Sequence, residues 1–150
     1  MKKLTWIPIL FLLASAAYAD EAKATAAILK KDGKAHAAQF TDAVRVNIRP
    51  ELRDELAPIV AAIRHAENGR AGREYGILHK KAVGKSYRTQ AGWCAATVQK
   101  NYDRWTKAGR KGDFITFLGN RYCPVGAGND PNGLNRHWIG NVKKLTAKFN

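Results

Sequence analysis

An apolar helical stripe that ends on a carboxylic acid constrains this chain more than any other feature. Leu56, Val60 and Ile63 are spaced four and three apart, and the next step of four lands on Glu67. Asn68 and Gly69 follow at once and are residues that stop a helix. The pattern therefore predicts a helix over about Pro58 to Glu67, with a carboxyl on its buried face at its C-terminal end. Desolvation and the negative end of the helix dipole both raise the pKa of such a group. A carboxyl that keeps its proton near neutral pH is equipped to act as a general acid. The competing reading is a solvated Glu67, or one paired with Arg64 or Arg70.

The start of the chain reads as an export signal. Lys2 and Lys3 precede the apolar run Leu4 to Ala14, which is too short to span a bilayer, and Ala17-Tyr18-Ala19 has the form of an A-x-A cleavage site. Residues 1–19 are expected to be a signal peptide, with a mature chain from Asp20 and a periplasmic or secreted destination; a short membrane anchor is the alternative. Of 150 residues, 131 remain after removal of those 19, the size of one domain. The whole chain has 26 Lys and Arg against 12 Asp and Glu, formally +14; loss of Lys2 and Lys3 leaves +12. Such a charge favours polyanionic partners, among them an anionic wall polymer or a membrane surface. Export makes specific nucleic-acid binding the weaker choice.

Cys94 and Cys123 are an even pair in an exported chain, which predicts one disulfide. On the loop-entropy model it would contribute on the order of 3–4 kcal/mol. Ligands at metal-site spacing are lacking, and neither a metal nor a cofactor is expected. The fragment His65-Ala66-Glu67 shares the H-x-E spacing of zinc deaminases, but no P-C-x-x-C follows it.

The remaining pattern is mainly helical. Residues 20–49 read as an N-terminal leader or helical extension: 20–34 suit a weak helix or a frayed leader, and Ala43 to Ile48 are ambiguous between strand and helix. Pro50 and Pro58 suit the first turns of helices. Gly69 to Ser86 is rich in Gly, Lys and Arg, and its alternation of Tyr75, Ile77 and His79 fits a small β-hairpin. A helix over 89–107 places Cys94, Val98, Tyr102 and Trp105 on one face. Asp113 reads as the N-cap of a helix over Phe114 to Tyr122. A turn-rich loop runs from Cys123 to Gly133; Asn129 and Asp130 there suit an Asx-turn more than a cleft wall. The last helix carries Leu134, Trp138, Val142 and Leu145 on one stripe, with His137 on a flank as a surface or capping residue. The fold class is mainly α, with a small β region (α+β).

The helix ending in Glu67, then Asn68-Gly69, a short polar stretch and Tyr75-Gly76-Ile77-Leu78, resembles the lysozyme-like superfamily. It is most similar to lytic transglycosylases and goose-type lysozymes. About twenty residues carry the resemblance; His79 stands where that family usually has Gln. The resemblance implies a lysozyme-like catalytic domain over residues 50–150. It implies a peptidoglycan substrate, cleaved at the β-1,4 bond between N-acetylmuramic acid and N-acetylglucosamine, with Glu67 as the acid. Tyr75, His79 and Gln90 become candidate substrate contacts, and Trp93 a residue able to stack on a sugar or to sit in the core. A two-carboxylate hydrolase needs a second acid; Glu74, Asp103, Asp113 and Asp130 are the candidates, and spacing places none of them. That favours a lytic transglycosylase, in which one carboxyl serves. The readings left open are a non-catalytic wall- or polyanion-binding module of the same shape, and a secreted effector or phage-related lysin. A monomer is expected.

Overall fold

The computed structural model describes residues 18–150. The expected signal peptide lies, apart from Tyr18 and Ala19, outside the described residues. Six α-helices follow in order: α1 Ala19–Asp32, α2 Lys34–Asn47, α3 Arg53–Glu67, α4 Tyr87–Lys107, α5 Phe114–Tyr122 and α6 Trp138–Phe149. Short 3₁₀ turns, Pro50–Leu52 and Leu134–His137, lead into α3 and α6. Among the described residues no helix is long and apolar enough to cross a membrane.

Helix α3 is the axis of the molecule. Every residue from Leu56 to Arg64 is buried, because α1, α6 and α4 all pack against it. A helix apolar on all sides is stable only when surrounded in this way. Pro58 falls inside α3 rather than in its first turn, so the helix gives up one amide donor there. Asn68 ends it in the left-handed conformation at φ 46°.

The N-terminal segment is no frayed leader. Helix α1 buries Ala24 and Ile28 completely against the same core as α3, and α2 does so with Phe40 and Val44. The ambiguous stretch from Ala43 is helical to Asn47. Ser86 caps α4 by accepting from the Thr89 amide at 3.2 Å, so that helix begins two residues earlier than its periodicity suggests. Asp113 caps α5 through the Thr116 amide at 2.7 Å.

The mainly helical class holds, but the small β-hairpin does not form: residues 69–86 contain no strand and run as successive turns. Gly72, Gly76 and Gly84 all have positive φ, which bends the chain away from a ladder. One long-range backbone bond crosses the segment, Gly84 N–H to Gly72 C=O at 2.9 Å. The last apolar stripe also needs correcting. Leu134 lies in the 3₁₀ turn and is exposed, while Trp138, Val142, Thr146 and Phe149 face the core.

Candidate functional site

Glu67 closes α3, and its carboxyl is enclosed from two sides. Trp138, the first residue of α6, donates its indole Nε1–H to Glu67 Oε1 at 2.7 Å. On the other side the backbone of Gly76 presses on the carboxyl: a Cβ on Gly76 would sit 2.2 Å from Glu67 Oε2. Burial pushes the carboxyl above its ordinary value, and the Trp138 hydrogen bond returns part of that shift. Arg64, the nearby cation that could have neutralised it, is turned away. It makes two 2.8 Å hydrogen bonds to Asp32 and a third, at 3.3 Å, to the carbonyl of Glu74.

One hollow opens on this carboxyl and a second lies beside it. One, of about 580 Å³, is lined by Glu67, Cys123, Leu134, Asn135, His137 and Trp138, among others. The other, of about 320 Å³, includes Gly76, Leu78, His79, Trp93, Arg121 and Asn129. Gly76, which lines the smaller, packs against Glu67, which lines the larger, and the consecutive residues Tyr122 and Cys123 line one each. Among the described residues Glu67 is the one carboxylic acid lining either hollow. Leu78 and Leu134 are exposed on their walls.

The segment that carries Gly76 is held from behind by three donors. Gln90 Nε2 donates to the carbonyls of Gly72 (2.8 Å) and Ala82 (2.6 Å). Arg64 holds the Glu74 carbonyl, and Tyr122 donates its hydroxyl to the carbonyl of Tyr75 at 2.6 Å. A chain of turns lacks a ladder: the Gly84 and Lys85 amides reach the Gly72 and Ala82 carbonyls, and side chains supply the other donors.

The site residues read from the sequence therefore separate. His79 lines the smaller hollow, stacked on Trp93 with ring centroids 4.7 Å apart. Tyr75 and Gln90 are not on a substrate face; both are wholly buried. The Tyr75 hydroxyl meets that of Tyr87 at 3.0 Å, and Tyr87 donates to Asp32. Both residues help to hold the turns around Gly76 and line neither hollow. The bridge between Cys94 and Cys123 is not formed, and both are free thiols. Cys94 points into the core of α4, where burial raises its thiol to about 12, whereas Cys123 sits in the wall of the larger hollow and is raised to about 11.

The candidate second acids have other work. Asp103 pairs with Arg49, and Asp113 pairs with Lys143 besides capping α5. Asp130 organises its loop by accepting from the amides of Asn135 and Gly126; Asn129 lines the smaller hollow. Glu74 is buried and lines neither hollow. His137 is exposed, as its flank position suggests, and also lines the larger one. Trp138 was legible as a buried residue but not as the partner of Glu67. The signal was indirect: a buried indole N–H requires an acceptor. Among the described residues no group of His, Cys, Asp and Glu could hold a metal ion.

No protein-family model matches the chain, and neither a curated protein nor a solved structure matches it.

Proposed function

We propose that the protein is a peptidoglycan-cleaving glycosidase of the lytic transglycosylase type, with Glu67 as its single acid and base. The observation that carries the reading is a carboxyl in the wall of a hollow, with a raised pKa, one hydrogen-bond donor and, among the described residues, no cation partner. Burial favours the protonated form that a general acid needs. In the proposed reaction Glu67 protonates the glycosidic oxygen between N-acetylmuramic acid and N-acetylglucosamine as the C1–O bond breaks. The resulting carboxylate then takes the proton of the muramic acid C6 hydroxyl, whose oxygen closes on C1. The acid is regenerated and the product is a 1,6-anhydro sugar. The lack of another acid along the two hollows favours this route over a two-carboxylate hydrolase.

Mass spectrometry of purified wall treated with the protein tests the proposal. Anhydro-muramic ends are expected from the parent. Their loss is expected in Glu67→Gln, with a fall of at least roughly 10²–10⁴-fold in rate. Reducing ends would redirect the reading to a hydrolase. Wall binding without any cleavage would favour the binding-module reading.

A further inference from the structure

The turns over residues 69–86 carry five cations, Arg70, Arg73, Lys80, Lys81 and Lys85, and all five are exposed. The one acid of the segment, Glu74, is buried. Among the described residues no acid pairs with any of the five. The segment therefore shows solvent positive charge with no negative charge of its own beside it.

The fold gathers these cations and holds their backbone. Gly84 donates its amide to the Gly72 carbonyl at 2.9 Å, and a Cβ on Gly72 would lie 2.7 Å from Gly84 Cα. Arg73 and Lys85 are the chain neighbours of these two touching glycines, so the fold brings the two ends of the segment together. Lys80 and Lys81 sit in a turn closed by the Ala82 and Val83 amides on the His79 carbonyl. Gln90 ties the Gly72 and Ala82 carbonyls to α4. A charged ligand would meet a backbone already in place, with little ordering of the main chain left to offset. A second basic cluster, Arg104, Lys107 and Lys111, stands at the other end of α4, a 21-residue helix about 30 Å long. It differs in that two exposed acids, Asp103 and Asp113, flank it.

The chemistry of the segment narrows the ligand. Lipid surfaces are bound by cations together with apolar side chains that enter the bilayer. Here Leu78 is the one large exposed apolar residue, and it lines the smaller hollow. Single-stranded nucleic acid is bound by cations together with aromatic rings on which bases stack. Here Tyr75 is buried and the His79 ring lies on Trp93. What remains is a chain recognised through its charges alone, and the forked guanidiniums of Arg70 and Arg73 suit phosphate oxygens. We propose that the turns over residues 69–86 are the docking surface for a linear phosphodiester polymer of polyol units. The surface lies beside the smaller hollow, which residues 76–79 of the same segment line. The proposal goes beyond the reaction at Glu67 and does not depend on it.

The probe is a poly(glycerol phosphate) chain titrated into the purified protein at several salt concentrations. The triple variant Lys80→Gln, Lys81→Gln, Lys85→Gln is compared with the triple variant Arg104→Gln, Lys107→Gln, Lys111→Gln, which loses the same charge at the far end of α4. All six side chains are exposed, and equal urea midpoints would show that both variants fold. The parent's affinity should fall as salt rises. The first variant should bind at least roughly tenfold more weakly at low salt, with a slope of log affinity against log salt shallower by about 2–3. The second should stay within about twofold of the parent. Glu67→Gln should bind the polymer as the parent does, whatever becomes of the cleavage reading. Equal losses in the two triple variants would show that only diffuse charge acts and overturn the assignment, as would an affinity indifferent to salt. Tighter binding to phosphatidylglycerol vesicles, or to single-stranded DNA of matched charge, also overturns it, in favour of a membrane or a nucleic acid.

Discussion

Substituting alanine for Gly76 should destabilise the protein through two separable effects, only one of which involves Glu67. Gly76 has φ +68°, where a side chain strains the backbone by about 1–2 kcal/mol. The added Cβ would also lie 2.2 Å from Glu67 Oε2, 2.5 Å from its Cδ and 3.1 Å from its Cγ. All three atoms belong to one side chain, so relief requires moving either the carboxyl or the turn. Overpacking of this kind costs typically 1–3 kcal/mol, for a total of about 2–5 kcal/mol. Glu67→Ala deletes all three contacted atoms. In that background Gly76→Ala should cost only the backbone share. Urea denaturation of the parent, the two single variants and the double variant measures the coupling directly, and about 1–3 kcal/mol is expected. If Gly76→Ala costs the same with and without the Glu67 carboxyl, the turn does not press on it, and the enclosure argued for the site is wrong.

Trp138→Phe removes the one hydrogen bond to Glu67, and with it a donor that favours the ionised carboxyl. The protonated form gains, so the alkaline limb of the cleavage pH profile should move to higher pH; a limb that stays or moves down counts against Trp138 as the tuning partner. Gln90→Leu takes one of two donors from each of the Gly72 and Ala82 carbonyls, which keep the Gly84 and Lys85 amides, and also removes the buried, unpartnered Oε1. A loss of about 1–3 kcal/mol in urea and faster proteolysis within residues 69–86 are expected, whereas parental stability would show that Gln90 is no strut. His65 is held below its ordinary value by burial and then by Lys31. The folded state favours the neutral ring, so this contribution is present above the unfolded value of about 6.5 and is lost as pH falls through the lower folded value. His65→Phe should flatten the decline in urea midpoint below pH 6.5, and an unchanged slope would assign it to other groups.

How much of this was legible in the sequence follows from what each signal depends on. The helix to Glu67 was legible because a 3.6-residue period and an Asn-Gly stop are local facts. The hairpin failed because the alternation at Tyr75, Ile77 and His79 is also local, while the fate of Tyr75 is not. Tyr87, on a helix that starts twelve residues later in the chain, draws it into the core. Leu134 was misplaced because the 3₁₀ turn has about 3.0 residues per turn, and its phase breaks the stripe before Trp138. Gln90 was read toward a ligand because nothing local shows that two carbonyls of a turn-built segment, 18 and 8 residues away, accept from it. Helix α1 looked weak from its composition, yet Ala24 and Ile28 suffice when α3 provides the opposing surface.

The electrostatics of the site turn on one arrangement that spacing left open. Arg64 lies three residues before Glu67 on the same helix, where an ion pair between them would be ordinary. Such a pair would hold the carboxyl ionised and end its use as an acid. Asp32, at the end of α1, takes the Arg64 guanidinium through two hydrogen bonds, and the Glu74 carbonyl takes a third. Tyr87 adds a donor to the same Asp32 carboxylate. A buried cation is tolerated only when paired and hydrogen-bonded, and here it is both. The network therefore acts twice. It fastens the segment that carries Gly76 against Glu67, and it keeps the nearest positive charge committed elsewhere. Burial alone would not raise the Glu67 pKa if Arg64 were free to turn toward it. The N-terminal helix that supplies Asp32 is thus part of the acid's environment, although it is 35 positions away in the sequence.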